Sequence, residues 1–321
     1  QHKTKQEKKD VFMQIHGIGD AAAEKIIDQG ITTIEQLKKN KDKEIPGKGK
    51  KPLKLLNPTQ QKGLEYYEQV LERIPRQEIK QFEMLLNQEF KKTQNQLDDL
   101  DSKFEIVGSY RRNRPDSGDI DIIITSNKNN KAIYDKFLNN LNNAGIIKAF
   151  LSKGDIKSMV VAKLNDKSIA RRVDFLYSPP DEYAFAILYF TGSKEFNTAM
   201  RQHALTQNLT LNEHGFHMME NKVKGEKITD PKFLTEQDIF DYLNMEFKSP
   251  ESRRDQTAVV LKSKSKQPET SKQKTIKNKS TNLKTETLKK TSKKTQQETI
   301  INNIENFKHE GISKLNILSQ D

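Results

Sequence analysis

The stretch that most constrains this chain is GSYRRNRPDSGDIDIIIT, residues 108–125, in which two aspartates interrupt an apolar run. Successive side chains of a β-strand point to opposite faces, so the pattern predicts a strand with its isoleucines on one face. Asp119 and Asp121 then lie side by side on the other face, where burial and mutual repulsion disfavour their ionised forms. Such a strand needs a positive charge beside its acidic face.

A third carboxylate, Asp174, interrupts a second strand-like run, RRVDFLY, at residues 171–177. If the two strands are neighbours, Asp119, Asp121 and Asp174 converge on one face of a sheet. Oxygen ligands without Cys or His select a hard cation, and three carboxylates can hold two Mg²⁺ ions, with Mn²⁺ as a substitute. Such a site suits phosphoryl or nucleotidyl transfer. The alternative is an ordinary solvated strand face.

The residues before the first two aspartates favour the phosphate-transfer interpretation. Gly108 and Ser109 allow a turn whose backbone N–H groups approach a phosphate. Arginines at 111, 112 and 114 add positive charge. Arg112 is expected to bind a phosphate oxygen, because a guanidinium can do so with two hydrogen bonds.

Composition excludes several other chemistries. The chain has no cysteine, which rules out disulfides, Cys-ligated zinc and thiol catalysis. Its six histidines form no evident metal set, and no run of 18 apolar residues spans a membrane. We therefore expect an intracellular protein with no membrane partner. The net charge of +12 lies largely in residues 251–321, with 16 Lys and Arg against 8 Asp and Glu, and is weak evidence for a polyanionic partner.

Apolar spacing predicts helices over 11–40, broken at Gly17 to Gly19, then a flexible basic loop over 41–57. A further helix is predicted for 58–72. Another is predicted to start within RIPRQE (73–78), with Pro75 in its first turn, and to run to about Asp99. The predicted elements that follow are strands within 104–125, 158–164 and 169–177, a helix at 131–144, and helices over 181–207 interrupted at YFTGS (189–193).

Four motifs in order resemble those of family X DNA polymerases, the DNA polymerase beta group. GSYRRNRPDSGDIDIII resembles the nucleotidyltransferase motif of that family, and RRVDFL resembles the strand of its third carboxylate. AILYFTGSKEFNTAMRQHALTQNLTLNEHGF is similar to its nascent-base-pair subdomain. GIGDAAAEKIIDQGITTIEQLKKN resembles its second helix-hairpin-helix, and RIPRQE matches the entry to its palm. The resemblance covers residues 10–254.

The resemblance implies an α+β fold in successive parts. A helix-hairpin-helix DNA-binding subdomain is expected at 10–77, a nucleotidyltransferase palm with a mixed β-sheet at 78–178, and an α+β nascent-base-pair subdomain at 179–254. Residues 1–9 are expected to be disordered. Residues 255–321 are expected to form a disordered basic linker with a short helix near residues 300–307.

The resemblance also assigns site residues. Asp119, Asp121 and Asp174 become the catalytic metal ligands. The residues expected to contact the nucleotide are Arg73, Ser109, Arg112, Gly118, Asp119, Asp121, Tyr189, Phe190, Gly192 and Asn197. Those expected to contact DNA are Gly17, Gly19, Arg172 and Arg201. Glu213 is expected to support the closed conformation. A monovalent cation is expected at the helix-hairpin-helix turn.

The resemblance predicts a template-dependent DNA polymerase that fills short gaps during base excision repair, acting as a monomer on gapped or nicked duplex DNA with dNTP. YFTGS resembles the turn of deoxy-selective members, and the short 162–172 loop argues against template-independent synthesis. Leu176 occupies the position at which polymerase beta has an arginine. This difference argues against an ion pair at that position that switches between the open and closed states. The alternatives are a nucleotidyltransferase on RNA ends, a terminal transferase or a non-catalytic DNA-binding scaffold.

The family's N-terminal lyase domain has no counterpart in this sequence, so we expect no lyase activity, although a longer parent protein can carry that domain. The tail weakly resembles the segment before a ligase domain. The site of action is expected to be the nucleus or a viral or cytoplasmic replication site.

Overall fold

Helices dominate the N-terminal part of the computed structural model, which describes residues 3–47, 49 and 51–263. They are α1 (Lys5–Met13), α2 (Asp20–Asp28), α3 (Ile34–Lys39) and α4 (Pro58–Val70). Their apolar faces meet in a core that includes Phe12, Ile26 and Leu64. The turn between α1 and α2 contains Gly17 at φ 85°, a left-handed conformation that favours glycine. Two short helices joined by a glycine turn are therefore present, as the sequence predicts.

The first helix begins earlier than predicted. The Thr4 side chain accepts a hydrogen bond from the Glu7 backbone N–H, and the Glu7 carboxylate accepts one from the Thr4 N–H, so the two residues form a capping box. Lys9 is buried and pairs with Asp20 of α2. The prediction of a disordered segment over 1–9 is therefore wrong for residues 5–9.

The basic stretch 41–57 contains a small hairpin rather than only a flexible loop. Strands β1 (Glu44–Ile45) and β2 (Leu53–Lys54) pair antiparallel. Ile45 and Leu55 are buried in the N-terminal core. Burial of these apolar side chains holds the base of the hairpin against the helices, a tertiary contact that the lysine-rich composition does not reveal.

The central part of the chain is built on a five-stranded sheet of order β4-β6-β9-β8-β7. Strands β6 and β9 pair parallel, and the other neighbours pair antiparallel. The elements of this part are β3 (Ile74–Pro75), α5 (Arg76–Leu97), β4 (Lys103–Ile106), α6 (Gly108–Arg111), β5 (Asp116–Ser117), β6 (Ile120–Thr125), α7 (Ala132–Asn143), β7 (Ile147–Lys153), β8 (Lys157–Ala162) and β9 (Arg171–Tyr177).

Helices α5 and α7 supply Phe82, Phe90 and Phe137 to the core on one face of this sheet. Ile122 of β6 and Phe175 of β9 belong to the same core. Since side chains alternate along a strand, the aspartates of β6 and β9 lie on the opposite face.

Three local features of this part differ from the sequence predictions. The edge strand β7 was not predicted, and it is stabilised by its pairing with β8. The turn predicted at Gly108 and Ser109 forms the short helix α6, within the stretch 104–125 for which no helix was predicted. Pro75 lies in β3 and caps α5 instead of occupying its first turn, because Ile74 and Pro75 pair with β5.

The C-terminal part has its own core, which includes Phe196, Phe216 and Phe240. Helices α8 and α9 meet at a break at Gly192, as the YFTGS stretch predicts. The elements are α8 (Tyr183–Thr191), α9 (Lys194–Thr206), β10 (Leu209–Asn212), β11 (Gly215–Glu220), β12 (Val223–Lys227), α10 (Glu236–Tyr242) and 3-10 turns at Pro250–Ser252 and Gln256–Ala258.

The packed chain extends beyond residue 254. Ala258 is buried in the C-terminal core, and Leu261 forms a β-bridge with Met245. The prediction that the linker starts at 255 is therefore wrong for residues 255–263. The predicted basic tail and its helix near residues 300–307 lie outside the described residues. No helix in the described part of the chain is long and apolar enough to cross a membrane.

Candidate active site

The parallel pairing of β6 and β9 brings three carboxylates together. Asp121 and Asp174 are register partners across the two strands, and Asp119 immediately precedes β6. One oxygen from each of the three carboxylates lies within 4.8 Å of the others. The aspartates of two strands that are distant in the sequence therefore form one cluster, on the sheet face that α5 and α7 do not cover.

Burial and mutual repulsion act strongly on this cluster. Burial, followed by the charges of Asp119 and Asp174, raises the pKa of Asp121 to about 7. Burial also raises the pKa of Asp119, although the positive charge of Arg172 opposes that shift. Three oxygen-donor groups whose negative charges repel one another form a set that suits divalent cations such as Mg²⁺.

Arg172 supplies the positive charge that the sequence pattern demands. Its Nε donates to Asp174 Oδ1 at 3.0 Å, and its Nη2 donates to Oδ2 at 2.8 Å. This two-pronged pair lies along one strand face, because residues two apart point the same way. Arg172 therefore neutralises part of the cluster when no metal is bound.

The Gly-Ser turn approaches the carboxylates closely. Gly108 has φ 64°, and a Cβ added there would lie 3.0 Å from Asp121 Oδ2. Glycine is therefore favoured both by the backbone conformation and by the space. The next residue, Ser109, lies in the one-turn helix α6, and its Oγ donates to Ser117 Oγ at 2.6 Å.

Arg73 and Gly118 lie side by side next to the cluster. Arg73 donates from Nε to Asp116 at 3.0 Å and also pairs through Nη2, while its side chain stays 61% exposed. A Cβ added to Gly118 would lie 3.3 Å from Arg73 Nη1. An exposed guanidinium beside Asp119 is accessible to an anionic ligand.

Arg112 connects the Gly-Ser turn to the YFTGS turn. Its Nη1 donates to the carbonyl oxygen of Thr191 at 2.5 Å, and a Cβ on Gly192 would lie 3.1 Å from that nitrogen. Its Nε is buried without a partner among the described residues. Burial, with the nearby charge of Arg114, lowers the pKa of Arg112. A half-buried guanidinium with an unused donor can donate to an anionic ligand.

The predicted residues of α8 and α9 pack around Tyr189. The Phe190 ring meets the Tyr189 ring edge-on at 4.9 Å, and Asn197 Nδ2 donates to the Tyr189 carbonyl at 2.6 Å. The Arg201 guanidinium lies 5.2 Å from the centre of the Tyr189 ring. Glu213, in the turn between β10 and β11, has no side-chain hydrogen bond or ion pair to the described residues.

A buried network that the sequence analysis missed links these turns to the end of the packed chain. Glu236 of α10 accepts from Arg111 Nη2 at 2.9 Å and from Arg253 Nη1 at 2.6 Å. Arg111 also donates to Thr191 Oγ1 at 2.9 Å, and the Arg253 carbonyl accepts from the Ser193 N–H at 3.1 Å. The partners are far apart in the chain, so no local motif signals them.

A cleft of about 560 Å³ separates the turn between α1 and α2 from the carboxylate cluster. Gly17 and Gly19 line one side, and Asp119 and Arg172 line the other. Gln60 donates to the Gly17 carbonyl at 2.8 Å and so fixes the turn. The structure thus places the predicted DNA-binding turn opposite the predicted catalytic residues.

Comparisons with known proteins agree with this architecture. Residues 73–180 match the model of the DNA polymerase beta palm, and residues 186–254 match that of the DNA polymerase beta thumb. Residues 10–71 match the fingers domain of DNA polymerase lambda. The matched parts follow one another along almost the whole described chain.

Curated relatives carry related names. The chain is 27% identical over 259 residues to DNA polymerase lambda of Arabidopsis thaliana, covering 76% of this chain and 46% of that protein. It is also 27% identical over 256 residues to DNA polymerase lambda of Rattus norvegicus, covering 76% and 42%. DNA nucleotidylexotransferase of Xenopus laevis is 24% identical over 280 residues, covering 75% and 51%. The chain thus spans about half the length of these relatives. With palm, thumb and fingers matches in order around the acidic cluster, the chain belongs to the DNA polymerase beta/lambda family, the family X DNA polymerases.

Proposed function

We propose that this chain is a template-dependent DNA polymerase that fills short gaps during DNA repair of the base excision type. It transfers a nucleotidyl group from dNTP to a primer 3′-hydroxyl. The observation that carries the proposal is the cluster of Asp119, Asp121 and Asp174 on adjacent parallel strands of a family X palm.

Asp119 and Asp121 are proposed to hold two Mg²⁺ ions, for which Mn²⁺ can substitute, and Asp174 to hold the ion nearest the primer. Bound there, the ions lower the pKa of the primer hydroxyl and offset the charge of the triphosphate. Arg172 pairs with Asp174 through both guanidinium donors. In this proposal it orients that carboxylate, and its exposed part contacts the primer.

The triphosphate is proposed to lie along the Gly-Ser turn. Arg73, Ser109, Arg112 and Gly118 surround that position, and two of them carry positive charge. Arg73 is largely exposed, and Arg112 has an unused buried donor. Charge-assisted hydrogen bonds of this kind bind phosphate oxygens strongly.

The deoxyribose and base are proposed to contact the YFTGS turn. Tyr189 and Phe190 are the partly exposed residues of this turn, Gly192 is buried against Arg112, and Asn197 donates to the Tyr189 carbonyl. The Thr191–Gly192 backbone lies against Arg112, so the proposed phosphate and sugar contacts share one rigid junction. A close-fitting surface under the sugar can exclude a ribose 2′-hydroxyl.

Duplex DNA is proposed to occupy the cleft between the two halves of the site. The turn at Gly17 and Gly19, as part of a helix-hairpin-helix, offers backbone N–H groups to a phosphate, and its carbonyls are the proposed ligands of a monovalent cation. Arg201 is proposed to contact the template and Glu213 to support the closed state. Contacts to the DNA backbone of this kind are independent of sequence and weaken with salt.

The short connection between β8 and β9, residues 163–170, supports template dependence. It leaves no long loop to take the place of a template strand. Leu176 lies in register with Ile123 of β6, so this strand position offers no charge for an ion-pair switch. We further propose that the chain acts as a monomer. We also propose that a longer parent protein can link this chain to a lyase domain upstream or a ligase domain downstream.

The deciding experiment measures extension of a primer on a one-nucleotide gap, with and without a downstream 5′-phosphate, against an open template. The proposal predicts Mg²⁺-dependent addition of the templated dNTP, strongest on the gap. Equal extension of a single-stranded primer would favour a terminal transferase. Extension of RNA ends alone would favour the other nucleotidyltransferase alternative, and binding without incorporation would indicate a DNA-binding scaffold.

A further inference from the structure

Arg171, the first residue of β9, makes a buried contact that the proposed chemistry does not use. It points to the sheet face opposite Arg172 and Asp174, since neighbouring residues of a strand alternate. Its side chain is only 3% exposed. Its Nε and Nη2 donate to the two carboxylate oxygens of Glu78, in the first turn of α5, at 2.8 and 2.7 Å.

The remaining donors of the same guanidinium reach the chain between α4 and β3. Arg171 Nη1 donates to the carbonyl oxygens of Glu72 at 3.2 Å and of Arg73 at 3.3 Å. The strand that carries Asp174 is therefore tied directly to the backbone of Arg73. Only a branched, planar donor group can serve a carboxylate and two carbonyls at once.

The other side of Arg73 is held by a separate set of contacts. Residues Ile74 and Pro75 pair antiparallel with Asp116 and Ser117, and the Arg73 side chain bonds to Asp116. The guanidinium of Arg73 is thus held beside Gly118 by two independent attachments. One of them depends on Arg171.

We propose that Arg171, fixed by Glu78, is a positioning residue that sets Arg73 in place for the triphosphate of the incoming nucleotide. The inference rests on the proposed function, because it needs Arg73 to bind a nucleotide phosphate. Replacing a buried ion pair by apolar side chains of similar size often leaves stability unchanged. The same replacement removes the hydrogen bond from Arg171 to the Arg73 carbonyl. A positioning role therefore predicts weaker dNTP binding, whereas a purely structural role predicts no change in dNTP binding.

The test compares the wild type with the double variant Arg171→Met/Glu78→Met, in which neither charge is left buried alone. Single-turnover incorporation on a one-nucleotide gap gives the apparent dissociation constant for dNTP and the maximal rate separately. We expect the double variant to be folded, with a cooperative melting transition. It should bind dNTP about tenfold more weakly, which is within the usual range of coupling between contacting residues. The maximal rate should change about twofold at most, since the metal ligands stay in place.

A cycle with Arg73 shows whether Arg171 acts through it. Arg73→Ala alone should weaken dNTP binding, and adding Arg171→Met/Glu78→Met to it should cause no further weakening. Arg171→Lys should give an intermediate value, because an ammonium cannot bond the carboxylate in two-pronged fashion and reach both carbonyls. The matched control is Lys131→Met/Asp135→Met, an exposed ion pair at the N-terminal end of α7. This helix covers the sheet face opposite the aspartates, so the control should change neither constant.

Unchanged dNTP binding in a folded Arg171→Met/Glu78→Met variant would overturn the inference. Additive losses in the triple variant would also overturn it, as would a fall in the maximal rate alone. These outcomes are distinct from failure of the proposed function, in which the wild type itself incorporates no dNTP.

Discussion

Asp121 and Asp174 face each other across adjacent parallel strands, β6 and β9, as register partners. With Asp119 they form a cluster in which burial and like charge raise the pKa of Asp121 to about 7. A site that holds this much unfavourable negative charge is suited to cations.

Replacement of Asp174 should abolish incorporation without abolishing DNA binding. In Asp174→Asn the side chain keeps its size but no longer offers a charged oxygen to a divalent cation, so we expect the single-turnover rate to fall by about 1,000-fold or more. Gapped-DNA binding, measured by fluorescence anisotropy, should stay within about threefold of the wild type, because backbone contacts elsewhere supply most of the affinity. Incorporation at a near-normal rate would contradict the assignment of Asp174 as a metal ligand.

Neutralisation of Asp121 should stabilise the metal-free protein. Asp121→Asn removes one of three repelling carboxylates, so the free energy of unfolding at pH 7.5 should rise by roughly 1–2 kcal/mol. Urea unfolding in EDTA measures this change. Added Mg²⁺ should stabilise the wild type but not the variant. A less stable Asp121→Asn protein in EDTA would show that repulsion within the cluster is not the dominant effect.

Gly108→Ala should impair incorporation more than its effect on stability explains. The added Cβ meets Asp121 Oδ2 at 3.0 Å, and the backbone is left-handed at φ 64°. The matched control is Gly145→Ala, at φ 74° with open space around its Cβ. Both substitutions should cost about 1–2 kcal/mol of stability, the price of a left-handed non-glycine residue. Only Gly108→Ala should lower the incorporation rate. Equal activity of the two variants would contradict a functional role for the close approach of Gly108 to Asp121.

Glu236→Gln should change the acid stability of the protein. Burial by itself raises the pKa of Glu236, but the hydrogen bonds and charges of Arg111 and Arg253 outweigh it, so the net pKa is lowered. A carboxyl whose pKa is lowered by folding stabilises the protein above its unfolded pKa of about 4.3, and that contribution is lost as pH falls through the folded pKa. The wild type should therefore lose more stability than the variant below about pH 4.3.

At pH 7 the Glu236→Gln variant should be less stable than the wild type by about 3 kcal/mol, since the buried Arg253 loses its anionic partner and Arg111 keeps only Glu105. Urea midpoints at pH 7 and pH 3.5 test both statements. The control is Glu226→Gln, an exposed residue of β12 for which no such pH dependence is expected. Parallel pH profiles for wild type and Glu236→Gln would contradict the role given to the network.

Local sequence patterns predicted much of the secondary structure. The alternation around Asp119 and Asp121 predicts one acidic strand face, and the apolar spacing before α4 predicts the helical N-terminal part. The prediction failed where long-range contacts decide: β7 exists through its pairing with β8, and residues 5–9 and 255–263 are ordered by packing against distant residues. Lysine-rich or polar composition hides such contacts, because it reports average solvation and not individual partners.

The amino-acid sequence by itself determined which side chains carry the chemistry: the acidic strand faces, the glycines of the turns and the arginines beside them. These depend on the two-residue period of a strand and on the backbone freedom of glycine, which are local properties. Only the tertiary structure decided that Asp174 lies opposite Asp121, that Arg171 holds the backbone of Arg73, and that Glu236 joins Arg111 to Arg253. Strand order and the burial of charge depend on the free energy of the whole packed chain, so no short motif encodes them.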